Sequence, residues 1–157
     1  MKRNESLKTL SWEHHDGLVV SFRLQQGLKK NAKADEMSQY ILHIWNGMLE
    51  HHFRQEEQTI TNKILKSDKG NEFVNQLIDD HEKFRRLIKK IEVDMANAQI
   101  IEEFALLLNQ HIRFEERQLF PLFEQEAGLE KLQEVGRFLK EHHNPSCEVW
   151  PNQFWKS

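Results

Sequence analysis

The stretches His52-Phe53-Arg54-Gln55-Glu56-Glu57 and His111-Ile112-Arg113-Phe114-Glu115-Glu116 are nearly the same sentence written twice. Each sets a carboxylate four residues after a histidine, and on an α-helix that spacing stacks both side chains on one face. A single His-x-x-x-Glu arises by chance in helices rich in both residues. Two copies sharing His, Arg, Glu and Glu in register read as the duplication of one unit, with the rest of the chain as the scaffold that brings the two pairs together.

The flanks of both copies carry helical period. Ile41, Trp45, Met48, His52, Glu56 and Thr59 recur at three- and four-residue steps, which predicts a helix from about Asp35 to Leu65 with the His-Glu pair on its core-facing stripe. Phe104, Leu108, His111, Glu115 and Leu122 do the same over about Ile101 to Glu126, with Pro121 expected to kink the last turns or shift their pairing. Between them, Val74, Leu77, His81, Phe84, Ile88 and Ile91 predict a helix over roughly Glu72 to Ala96, preceded by the turn cluster Ser67-Asp68-Lys69-Gly70-Asn71. A first helix is expected from Ser11, as N-cap, to Leu28. Its apolar positions divide between two stripes: Leu10, Leu24 and Leu28 lie with His14, and Leu18 and Phe22 lie with His15. Gly128 reads as a helix stop. A short fifth helix over 129–141 and an irregular aromatic tail then follow, the tail packing across the bundle.

Four long helices joined by short polar turns predict an all-α, up-down-up-down four-helix bundle. The whole chain, 1–157, is expected to form one domain, with the bundle core over about 10–126. A length of 157 residues with 38% hydrophobic and 30% charged residues suits one globular domain with a core of its own. Six glycines and three prolines are few for an all-β chain. A net charge of −3 offers no electrostatic footprint for nucleic acid or an anionic membrane. No apolar run has the length of a signal peptide or a membrane span, and Cys147 is the lone cysteine, so a cytoplasmic protein without disulfides is expected.

The chemistry lies in the polar breaks of the apolar stripes. Each helix carries a histidine there, and the second and fourth add a glutamate one turn later. A buried carboxylate without a partner costs several kcal/mol or changes protonation, and no Lys or Arg shares these stripes. His81 alone would read as a hydrogen-bonded core histidine. Four histidines and two glutamates at equivalent depth point instead to a metal site. Imidazole and carboxylate suit iron, manganese or zinc rather than calcium or magnesium. Six such ligands exceed the four of structural zinc, which favours a dinuclear centre with two iron ions, manganese and zinc ranking behind. His43, His51, His142 and His143 fall off the stripe or beyond the bundle. A packing role fits Cys147 better than a ligand role.

The segments Leu10-Ser11-Trp12-Glu13-His14-His15-Asp16-Gly17-Leu18, His52 to Glu57, Asp80-His81-Glu82-Lys83-Phe84-Arg85 and His111 to Pro121 resemble the hemerythrin-like HHE cation-binding domain, in order over about residues 10 to 125. The resemblance implies a four-helix bundle around a non-haem di-iron centre. By position it implies as ligands one of His14 or His15, then His52, Glu56, His81, His111 and Glu115, the carboxylates bridging. His15 is preferred on the first helix, because Leu18 follows it at the family's spacing. Two departures stand out. Oxygen carriers of the family have a second histidine where this chain has Arg85, and they place the fourth-helix carboxylate where Glu116 stands. The expected function is a di-iron protein that binds or senses O2, NO or iron, acting alone or through a protein partner. The alternatives are a di-iron enzyme reducing peroxide, O2 or NO, an iron storage or iron-centre repair protein, and a metal-free bundle held by His–Glu hydrogen bonds.

Overall fold

In the computed structural model, residues 3–60, 65–143 and 150–156 are described. They form helices and no strand. After a 3-10 turn (Glu5–Leu7) come α1 (Lys8–Lys29), α2 (Ala34–Ile44), α3 (Glu50–Thr59), α4 (Asp68–Val93), α5 (Ala98–Phe114) and α6 (Phe120–Glu141). The α2–α3 junction is a π-turn (Trp45–Leu49) and the α5–α6 junction another (Glu115–Leu119), so each pair is one continuous rod. Four rods result: α1, α2–α3, α4, and α5 with the start of α6. This is the expected helical bundle.

The rod boundaries follow local chemistry. Ser67 accepts from the Gly70 backbone N–H at 2.9 Å, so the third helix begins at Asp68, a turn earlier than the apolar period suggests. Asn97 caps the fourth through the backbone N–H groups of Gln99 and Ile100, again ahead of the expected start. Ser11 is not an N-cap. The first helix starts at Lys8 behind the 3-10 turn that Asn4 caps, which frees the Ser11 hydroxyl to donate to Glu116 at 2.8 Å. In the second rod α3 runs to Thr59 and Leu65 is not helical; the expected stretch over 61–64 lies outside the described residues. Gly128, at φ 80 and ψ 160, breaks α6 and sets off its second half as the expected fifth helix.

At Pro121 the fourth rod shifts its pairing, the second of the two expected outcomes. In the π-turn the Phe120 N–H bonds to the Glu115 carbonyl, so the Glu116 carbonyl would next be served by residue 121, which has no N–H. The guanidinium of Arg3 takes that carbonyl at 2.7 Å.

Buried apolar side chains divide into two clusters. One gathers Leu24, Tyr40, Phe53, Phe84, Phe104 and Leu108, and the other Leu10, Leu77, Leu119, Phe120, Phe123 and Val135. Every rod runs from one cluster to the other through a polar step, and these steps lie at one level. Close approach of the first and fourth rods near this level depends on Gly17, where an added Cβ would lie 2.6 Å from the Ile112 Cδ1 methyl. Gly17→Val is therefore expected to lower stability by about 1–3 kcal/mol, measured by chemical denaturation; an unchanged midpoint would show that Ile112 gives way freely.

The tail covers one end of the bundle. Phe154 is buried, Trp150 sits against His43 and Tyr40, and the guanidinium of Arg23 lies over the Trp155 ring at 4.3 Å. Cys147 lies outside the described residues. No described helix is long and apolar enough to cross a membrane.

Candidate metal centre

The polar step of each rod delivers one histidine, and all four project Nε2 to a common centre. Glu56 and Glu115, both fully buried, stand there. Glu56 Oε2 is 3.3 Å from Nε2 of both His14 and His52, and its Oε1 is 3.2 Å from His81 Nε2 and 4.0 Å from His111 Nε2. Glu115 Oε1 is 2.5 Å from His111 Nε2 and 3.6 Å from His14 Nε2. The six side chains form two overlapping groups of metal-binding geometry: His14, His52, Glu56, Glu115 and His81, His111, Glu56, Glu115. Both glutamates belong to both groups.

These inner atoms are short of hydrogen-bond partners. Nε2 of His52, His81 and His111, Oε1 of Glu56 and both carboxylate oxygens of Glu115 are buried with none. Among the described residues no Lys or Arg forms an ion pair with either glutamate. Buried polar atoms are satisfied in the great majority of native proteins. A cluster of orphaned nitrogen and carboxylate donors is what a transition-metal ion satisfies, so the residues present fit metal.

The first rod corrects one expectation. His14, not His15, enters the centre: His14 is buried, while His15 is exposed. The reason is packing. Leu10 and Leu24, on the stripe of His14, are buried in the two core clusters, whereas Leu18 is half-buried and Phe22 exposed. The structure also separates the two acids of each doublet. Glu115 points to the centre, and Glu116 sits on its edge at 2.8 Å from His14 Nδ1. Glu56 points in, and Glu57 lies 2.8 Å from His81 Nδ1. Arg85, where the oxygen carriers have histidine, pairs with Glu57 at 2.9 and 3.1 Å and does not join the cluster.

Two further acids escaped the sequence reading. Asp80 is 2.9 Å from His111 Nδ1, and Glu13 is 3.4 Å from His52 Nδ1. The available signal was adjacency, since each immediately precedes a histidine of an apolar stripe. His51 and His142 lie apart from the centre, with His51 Nε2 against the His142 carbonyl at 2.7 Å. Aromatic rings wall the centre: Phe53 stacks on His81 at 4.2 Å and Phe120 on His14 at 5.2 Å between centroids.

Carboxylates set the protonation of the metal-free centre. Burial alone would push His52 down, but the charge of Glu56 and contact with Glu13 raise it to about 9. Burial opposes His14 and His111 too, and the Glu115 charge carries both well above 6.5. Burial would raise Glu56, yet His52 and its other partners hold it well below 4.5. Glu57 and Glu116 are likewise held down against burial, by His81 with Arg85 and by His14 with Ser11 and Arg3. The raised histidines stabilise the fold fully below about pH 6.5, and this is lost as pH rises through their folded values. The lowered carboxylates contribute above about pH 4.5, and lose this as pH falls through theirs. Metal-free protein is thus expected to be most stable between about pH 4.5 and 6.5, in melting curves recorded with a chelator across pH. A maximum near pH 8 would mean that the imidazoles are neutral in the metal-free fold. Metal must displace these protons, so its apparent affinity rises with pH towards 9.

No curated protein and no solved structure matches the chain significantly. A family model, the hemerythrin HHE cation binding domain, matches residues 10–123, a span that includes all six inner residues. On that match, and with the His/Glu clusters that its rods assemble, the chain belongs to the hemerythrin HHE cation-binding domain family.

Proposed function

We propose that the chain holds two metal ions side by side, bridged by Glu56 and Glu115, that the metal is iron, and that the pair binds O2 or NO. The observation that carries the reading is the sharing of both glutamates by two groups, each with its own two histidines. Formal charge agrees. Glu13, Glu56, Glu57, Asp80, Glu115 and Glu116 outnumber the guanidiniums of Arg85 and of Arg3, which Glu124 shares, and this surplus of negative charge is of the sign that bound cations would neutralise.

Two histidines and two carboxylates per ion favour iron over calcium or magnesium, and they leave positions for an outside ligand on a metal that takes up to six. Bound iron would supply reversible ligation and one-electron chemistry. The chain's part is to hold the imidazoles by their outer nitrogens and to wall the centre with Phe53, Phe84 and Phe120, which suits a small uncharged ligand over a charged one. Reduction of peroxide or NO is the second reading, favoured by the same open positions.

The test is metal content per chain after iron supplementation or anaerobic reconstitution, with spectra before and after NO or azide. About two irons per chain, with near-ultraviolet bands that shift on ligand addition, are expected. A chain that takes up no iron under either condition sinks the reading. Turnover of peroxide or NO at rates above free iron would move the assignment to an enzyme.

A further inference from the structure

The acids on the outer edges of the imidazoles follow an order that the inner cluster does not require. Glu13 on the first rod faces His52 on the second at 3.4 Å, an ion-pair distance at which neither Glu13 Oε1 nor His52 Nδ1 makes a hydrogen bond in the metal-free fold. Glu57 on the second holds His81 on the third. Asp80 on the third holds His111 on the fourth, and Glu116 on the fourth holds His14 on the first. The four contacts close a circle around the bundle, each rod's acid turned to the next rod's histidine.

The circle also divides by metal position. Glu116 and Glu13 stand behind His14 and His52, the histidines of one group; Glu57 and Asp80 stand behind His81 and His111, those of the other. Each half pairs a braced glutamate with a buried acid. Ser11 and Arg3 hold Glu116, and Arg85 holds Glu57, whereas Glu13 and Asp80 are buried. The halves repeat in sequence as well: Glu13 and Asp80 immediately precede His14 and His81, and Glu57 and Glu116 immediately follow Glu56 and Glu115.

A neutral imidazole that donates its Nδ1–H to a carboxylate presents the Nε2 lone pair, so once metal has displaced the Nε2 proton the carboxylate makes that nitrogen a stronger donor to metal. We infer that Glu13, Glu57, Asp80 and Glu116 are positioning residues of the centre, working as two independent pairs: Glu13 with Glu116 sets the affinity of one metal position, and Glu57 with Asp80 that of the other. This rests on the two-metal reading above and adds to it that each ion can be weakened alone from outside its ligand set.

Cobalt(II) titration of the full chain tests it, read by visible absorption against a competing chelator and by the exchangeable Nδ1–H signals that a paramagnetic ion shifts. Wild type is expected to take two equivalents. Glu57→Gln with Asp80→Asn keeps the shapes and removes the charges; it should weaken one equivalent by about 10- to 100-fold and leave the other as in wild type. Glu116→Gln with Asp80→Asn spans both halves and should weaken both equivalents. The charge-keeping changes Glu57→Asp and Asp80→Glu should restore most of the lost affinity, which a purely structural role would not require. Helical circular dichroism of each metal-free variant checks the fold, and should an amide pair fail to fold, the single changes Glu57→Gln and Glu116→Gln, each expected to weaken one equivalent, and their combination, expected to weaken both, give the same contrast. If same-half and cross-half variants behave alike, or all keep wild-type affinity, the inference is overturned while the two-metal reading stands. A wild-type chain that binds no cobalt overturns both.

Discussion

Glu56→Ala is expected to empty both metal positions, taking metal from about two ions per chain to a small fraction of one. Its Oε2 lies near His14 and His52, and its Oε1 near His81 and His111, so one side chain serves both groups through different oxygens. Removing it leaves four facing imidazoles with one carboxylate among them, too little negative charge to hold two cations together. Glu115→Ala should behave alike, since it belongs to the same two groups. His52→Ala, by contrast, touches one group only and should cost one ion before the other. His15→Ala is the control, because that ring is exposed and outside the cluster. Elemental analysis of purified variants decides the matter. Full occupancy in Glu56→Ala would show that this carboxylate does not bridge.

The second large effect is on stability. Each group draws on three rods and the two together on all four, so a folded chain offers the site and an unfolded one does not. Metal that binds only the folded state stabilises it by about 4 kcal/mol per site when free metal exceeds Kd a thousandfold. For a chain of this size that raises Tm by roughly 8 to 16 °C per site. Metal-loaded protein should melt that much above chelated protein, with the gap narrowing as pH falls and protons compete for the imidazoles. Coincident melting curves with and without metal would support the metal-free bundle held by His–Glu contacts instead.

Much of this was legible from the chain. The helical period of the stripes, the polar breaks in them and the repeat of His-x-x-x-Glu marked the four rods and four of the six inner residues by number, His52, Glu56, His81 and His111, and left Glu115 open against Glu116. What periodicity could not resolve was a choice between neighbours. On the first helix His14 and His15 each sit on a stripe with apolar companions, and the family's usual spacing to a leucine favoured the wrong one. Phe22, apparently a core residue by that stripe, faces solvent at 59% exposure. Helix ends were missed by a turn where Ser67 and Asn97 supplied caps, because capping is a side-chain bond that apolar period does not record. The two π-turns were invisible for a related reason: an extra residue per turn changes the phase of a helix without changing its composition.

Sequence alone determined, then, the helical class, the level at which polar residues interrupt the core, and the kinds of ligand gathered there. These are local properties, set by which side chains share one face of one helix. Tertiary structure decided which histidine of the first helix turns inward, whether Glu115 or Glu116 points to the centre, and which acid backs which imidazole. Each of these is a relation between two rods, and it depends on their azimuth and register against one another. Period within a helix carries no information on either.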